Sequence, residues 1–317
     1  MGWKAGYTFS DERSPTRIRW PNQAACAVSV VVDLSVPGGP DGIRPIDLKT
    51  SQARYAYDIS LPRILALLNK NGIRATFPVP GVVAQSESPS VQRVIAEGHE
   101  VAAHGLRHED VTNLARSEES VRMDQTVDAL SALTGSRPAG WYSLARQTDR
   151  FPGGSISSNT VDLLTEKGFS YFGNSQADDV PHYWVTDPEQ PGKLLALPYS
   201  YSCDDQFFVS FPPRPGGTNI ERMTTLERIW NEELDAMIGT AGRPGFNRVV
   251  TAIIHPYLNG WGHRLRALER FFGQLSRRKE VWIATGSELA SHWLSINPPE
   301  SVEIRRSPWR DAPEKLG

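Results

Sequence analysis

His104 and His108, four residues apart with Gly105 after the first, have the residue type and spacing of a metal-binding pair. Imidazoles at i and i+4 share a helix face. An apolar run, Val101 to Ala103, leads into His104, so the pattern predicts a buried strand ending there and a short helix carrying both rings. A zinc-protease motif needs a Glu directly after the first histidine as base, and Gly105 stands in its place. Any base lies elsewhere. With seven histidines in the chain, spacing alone also accommodates a surface pair.

The elements that must position such a pair read as alternating strands and helices. Ala24 to Asp33 (AACAVSVVVD) is a valine-rich apolar run ending in an acid, the pattern of a strand buried on both faces of a parallel sheet. A turn-rich loop follows, and Ser60 to Asn71 reads as a helix, with Pro62 in its first turn and Gly72 after its end. Further strands are expected at 75–80, 100–103, 139–142, 170–172, 194–198, 249–254 and 281–284. Helices are expected near 91–97, 117–134, 160–167, 225–238, 264–275 and 286–296. This βα alternation predicts a (β/α) barrel or a related open sheet. Asp33, His104 and His255 each fall at or just beyond the C-terminal end of a predicted strand, the end where parallel α/β folds build their active sites.

Composition bounds the function. The 317 residues carry a formal charge of −2, and the short basic clusters Arg277-Arg278-Lys279 and Arg305-Arg306 read as solvated surface. No nucleic-acid partner is expected. The N-terminus lacks the apolar core of a signal peptide and no segment is long and apolar enough to cross a bilayer, so a soluble cytoplasmic protein is expected. Two cysteines, Cys26 and Cys203, are too few for a disulfide scaffold. The 26 glycines and 24 prolines are dispersed, which predicts one domain with long loops.

Four motifs together resemble the polysaccharide deacetylase superfamily: Val31-Val32-Asp33, Gly98-His99-Glu100 running on to His104 and His108, Gly140-Trp141-Tyr142 followed by Arg146, and Ile253-Ile254-His255-Pro256. The resemblance spans residues 20–297, with 1–19 as an extension and 298–317 as a tail. It implies a single-domain distorted (β/α) barrel. Within the superfamily the chain is similar to the bacterial allantoinase branch, through the Gly140-Trp141-Tyr142 turn, the loop from Asn174 to Trp184 containing Asp178 and Asp179, and Asp205-Gln206-Phe207-Phe208.

The resemblance implies a hydrolase of a non-peptide C–N bond in a small amide or cyclic ureide. Asp33 would act on water, His255 would serve as acid, and Arg146 would orient Asp33 or bind an anionic part of the substrate. Trp141, Tyr142, Asp179, Asp205 and Phe207 are expected to contact substrate. His104, His108 and Asp33 are the expected metal ligands, with zinc as the ion. The position of a second acid in that superfamily is held by Ser35, and a serine hydroxyl is a poor ligand for a divalent ion. A loaded and a metal-free site therefore both stay open, as does a role for Asp110 in completing the shell. The alternatives are a metal-dependent N-deacetylase of amino-sugar oligomers or polymers and a non-catalytic binding protein on the same barrel. A homo-oligomer is compatible with the resemblance.

Overall fold

Ten strands form one mixed sheet in the computed structural model, which describes residues 8–9, 18–39, 41–147, 149, 154–185, 193–209, 223–241 and 248–301. In chain order they are β1 (Thr8–Phe9), β2 (Cys26–Val32), β3 (Thr76–Val79), β4 (Glu100–Ala103), β5 (Gly140–Trp141), β6 (Tyr171–Ser175), β7 (His182–Val185), β8 (Lys193–Pro198), β9 (Val249–Ile254) and β10 (Val281–Ile283). The expected extensions 1–19 and 298–317 lie mostly outside the described residues, as does the Arg305-Arg306 cluster.

Strands β2, β3, β4, β5, β6 and β8 are parallel neighbours in that order, and β9 lies parallel to β2 on its other side. The curved sheet thus becomes a distorted barrel, as expected. Its seam lies between β8 and β9, where no ladder forms among the described residues. Three local contacts bridge it: a parallel pairing of Asp204 with Ile253, the Asp205 amide donating to the Ile253 carbonyl at 3.2 Å, and Thr251 Oγ1 donating to the Pro198 carbonyl at 2.7 Å. β10 lies along the N-terminal half of β2, and β7 pairs antiparallel to β8 with β1 beyond it. The antiparallel β7 was not expected. Its apolar residues sit in a short loop-like segment whose strand character comes from pairing with β8.

Period-2 alternation divides the core in two. Ala27, Val31, Ala102, Val249 and Ile253 point into the barrel, while Val28, Val30, Val32, Ala103, Val250, Ala252 and Ile254 point out towards the helices. Helices Leu61–Lys70, Ser88–Ala96, Arg116–Thr134, Thr160–Glu166, Met223–Gly239 and Gly262–Leu275 bear out the expected ones to within a few residues. The chain also winds helically before Leu61, through Ser51–Arg54 and a wider π-type turn, Tyr55–Ser60, where only a loop was expected.

The last helix, Gly286–Ile296, starts with a capping box: Thr285 Oγ1 accepts from the Glu288 amide, and the Glu288 carboxylate accepts from the Thr285 amide. It carries the fully buried Trp293 into the inner core against Trp20. Trp293→Ala is expected to destabilise the protein by ~3–5 kcal/mol through the cavity it leaves. A urea unfolding series would read this as a lower midpoint.

Candidate active site

The inward alternation continues one step beyond three strand ends. After Ala27 and Val31 the next inward position at the end of β2 is Asp33; after Ala102 it is His104; after Ile253 it is His255. All three side chains are buried and converge at the C-terminal mouth of the barrel. Asp33 Oδ2 lies 3.3 Å from His104 Nε2 and 3.2 Å from His255 Nε2, and Asp33 Oδ1 accepts from the Ser35 amide at 2.7 Å.

His104 Nδ1 lies 3.0 Å from the Tyr142 carbonyl and His108 Nε2 lies 2.8 Å from the Leu144 carbonyl. A carbonyl only accepts, so each of these nitrogens carries its hydrogen. In the neutral rings His104 Nε2 and His108 Nδ1 are then bare lone pairs. Ligand atoms of Asp33, His104 and His108 lie within 4.8 Å of one another. His104 Nε2 and Asp33 Oδ2 are buried without a hydrogen-bond partner, and a lone pair facing a carboxylate oxygen calls for a shared cation, either a proton or a metal ion. The donor set of two oriented imidazoles and one carboxylate fits a divalent ion of the zinc type.

Burial, and then the adjacent His104, push the His108 imidazole down to about 3, so it is neutral, the ligating form. Burial by itself would raise the Asp33 carboxyl, but the facing His104 and His255 rings outweigh it and hold Asp33 well below the ordinary carboxylate range.

The predicted short helix under the histidine pair is not formed. Residues 104–111 are a turn in which Gly105 (φ 72°) and His108 (φ 54°) take left-handed conformations, and the rings meet with centroids 4.1 Å apart. For His108 this conformation costs of order 1–3 kcal/mol unless its surroundings impose it. Two contacts do so: the buried Glu109 carboxylate folds back onto the Arg107 amide at 2.5 Å, and the Ile43 amide donates to the Arg107 carbonyl at 2.6 Å.

On the opposite side His255 is fixed by Asp205. The carboxylate accepts from the His255 amide at 2.7 Å and from His255 Nδ1 at 2.6 Å, and Asn259 Nδ2 also donates to it. Burial opposes protonation of His255, but the charge of Asp205 overrides it and raises the imidazole well above its usual value. Asp204, next in chain, accepts from Tyr199, Gln206 Nε2 and the Gln206 amide, all at 3.0 Å. Burial raises its carboxyl to about 6.

Other expected site residues fall differently. Asp205 was expected to touch substrate, but it is fully buried behind His255, bound to the ring nitrogen that faces away from Asp33. The Tyr142 ring is buried in the inner core against Tyr171 and Gly173, where a Cβ would strike it, so its contribution is the carbonyl under His104. Trp141 points outward onto Phe169, with its indole N–H on Ser143. The Arg146 guanidinium is engaged by Asp149 and Asp110 (2.8 Å from Nε to Asp149 Oδ1, 3.2 Å to Asp110 Oδ2) at the edge of the cleft. Asp110 is thus drawn outward to Arg146. Asp179 pairs with Arg248 at 2.7 Å in a separate cavity of about 580 Å³ outside the β8–β9 seam. Phe207 lies edge-on to Tyr201. Cys203 is buried and its thiol is pushed up to about 12 by burial, which suits packing and not nucleophilic attack.

The cleft over the site is small, about 40 Å³, and is lined by Ser35, Ile43, His108, Gln147, His255 and Tyr257 among others. Asn259 and Tyr257 were not singled out in the sequence. Asn259 stands four residues after His255 on the turn Pro256–Asn259, a spacing that places a helper on the histidine's own face.

Residues 56–172 match the family model for polysaccharide deacetylase, a stretch containing His104, His108, Trp141, Tyr142 and Arg146. The chain carries a polysaccharide deacetylase family domain, and with it belongs among hydrolases of non-peptide C–N bonds. A peptidoglycan deacetylase of Helicobacter pylori is 25% identical over 286 residues, covering 82% of this chain and 91% of that protein. A Mycobacterium smegmatis structure assigned to the polysaccharide deacetylases superposes with a TM-score of 0.73 at 26% identity, covering 88% of this chain and 93% of the other. PuuE allantoinase shares the fold, with a TM-score of 0.74 at 24% identity over 88% and 93% of the two chains. No described helix is long and apolar enough to cross a membrane.

Proposed function

We propose that this protein hydrolyses the amide C–N bond of a small amide or cyclic ureide, with Asp33 and His255 moving the protons. The observation that carries the reading is the placement of Asp33 Oδ2 between two imidazoles, 3.2 Å from a His255 whose far nitrogen is held by Asp205. Asp33, ionised at neutral pH, accepts a proton from the attacking water. His255, kept protonated by Asp205, delivers its proton from Nε2 to the departing nitrogen as the C–N bond breaks. The short Asp33–His255 path then returns the first proton to the ring. The narrow cleft favours a small substrate.

His104, His108 and Asp33 would hold a divalent ion. Such an ion supplies Lewis acidity, polarising the carbonyl and acidifying water. A second reading, removal of N-acetyl groups from amino-sugar oligomers, is favoured by the peptidoglycan deacetylase that matches most of the chain.

The test is an assay of the purified protein on cyclic ureides and on N-acetylglucosamine oligomers, following ring opening and acetate release. Ring opening supports the first reading and acetate release the second, while failure on both removes amide hydrolysis from these substrate classes. Alongside it, a zinc titration of chelator-treated protein is expected to show one tight site that His104→Ala and His108→Ala each weaken by at least about tenfold. Unchanged affinity in both variants would sink the ligand assignment.

A further inference from the structure

One polar group on the cleft is left without a task by the proton transfers. Tyr257 follows His255 by two residues, is 6% exposed, and packs its ring edge-on against His255 with centroids 5.4 Å apart. Its oxygen accepts from Gln147 Nε2 at 3.3 Å. A phenol has a single hydrogen to give, and among the described residues no acceptor takes it. Burial raises the pKa of the hydroxyl, so this hydrogen stays in place. The neighbouring donors are occupied: the Ser35 amide on Asp33, the Arg146 guanidinium on Asp149 and Asp110, and the Gln147 amide on Tyr257 itself.

Amide hydrolysis needs more than a base and an acid. Negative charge grows on the carbonyl oxygen as water adds, and a donor already aimed at that oxygen lowers the barrier. The reacting carbon must lie within reach of Asp33 Oδ2 and His255 Nε2, and the Tyr257 ring borders the same His255 on the same cleft. Gln147 reaches across from the segment after β5 and fixes the phenol from behind, so its hydrogen points away from that wall.

We propose that Tyr257 is a catalytic residue whose hydroxyl donates a hydrogen bond to the substrate's carbonyl oxygen as it becomes an oxyanion. The inference rests on the amide-hydrolysis reading above. The hydroxyl keeps its proton throughout, and no bond to it is made or broken.

The test uses two measurements on the full chain. Tyr257→Phe, which keeps the ring and its packing, is expected to lower kcat about 10²-fold with KM changed less than threefold. Acetate, whose carboxylate oxygen mimics the oxyanion, is titrated by calorimetry as a probe that needs no turnover. Wild-type protein is expected to bind it about tenfold more tightly than Tyr257→Phe, the value of one hydrogen bond to a charged group. Equal acetate affinities, no acetate binding by wild type, or an unchanged kcat would each overturn the proposal. If the phenol instead donated to a reversed Gln147 amide, Tyr257→Phe would have little effect, which is among these overturning results. If wild type hydrolyses no amide, the amide reading fails on its own, and the acetate comparison still decides the role of Tyr257.

Discussion

Replacing Asp33 with Asn is expected to lower turnover by about 10⁴-fold, the upper end of what a positioned general base contributes. The substitution keeps size and shape, and the new amide oxygen can still accept from the Ser35 amide as Oδ1 does now at 2.7 Å. What it removes is the charge standing 3.3 Å from His104 and 3.2 Å from His255. With that charge gone, water loses its proton acceptor and the two histidines lose the carboxylate that completes their ligand set. Zinc affinity should fall together with kcat. Circular dichroism and urea unfolding would confirm that the fold persists. Turnover above about one-hundredth of wild type would remove Asp33 from the proton transfers.

Asp205→Asn is expected to be almost as damaging, about 10³–10⁴-fold in kcat, although this side chain stands behind the reacting groups. The loss has the logic of an acid that holds a histidine in its working tautomer: the geometry survives while the hydrogen moves to the wrong nitrogen. An Asn amide group facing His255 Nδ1 donates to it, which leaves Nε2 to be the protonated nitrogen of a neutral ring instead of one end of an imidazolium. The sign of the pH effect follows. Asp205 raises the His255 pKa, and the acid works only while protonated, so activity is lost as pH rises through that value. In Asp205→Asn the alkaline limb of the rate profile should move to lower pH. A limb that stays in place would show that Asp205 does not set the protonation of His255.

Much of this site could be read before any coordinates. Asp33, His104 and His255 are legible because a buried parallel strand announces itself as an apolar run, and alternation then dictates which residue beyond its end faces inward. The task of Asp205 is harder to see, since it is separated from His255 by 50 residues and meets it only because the β8–β9 seam brings the two segments together. The fully buried setting of Asp205 turned an expected substrate contact into an orienting one. His108 shows the opposite case: its role was suggested by spacing, yet the helix invoked for that spacing is replaced by a left-handed turn that Glu109 and Ile43 impose through tertiary contacts. Tyr142 was read as a pocket aromatic from its motif, whereas Gly173 leaves room for its ring inside the barrel. Side-chain direction at a two-residue strand such as β5 is set by neighbours, and local pattern does not report it.

The seam between β8 and β9 carries a consequence for how such a barrel can diversify. The residues that bridge it, Asp204 and Asp205, are also those that hold His255 or flank its holder, so closing the barrel and aiming the acid are one act of construction. A lineage altering this stretch would risk its fold and its chemistry together. The loop from Ser35 to Ile43 borders the same cleft from the far side and is pinned to the histidine turn by the Ile43 amide. Inheritance is therefore expected to be conservative along one wall and permissive along the other, with new substrates admitted through the Ser35–Ile43 side.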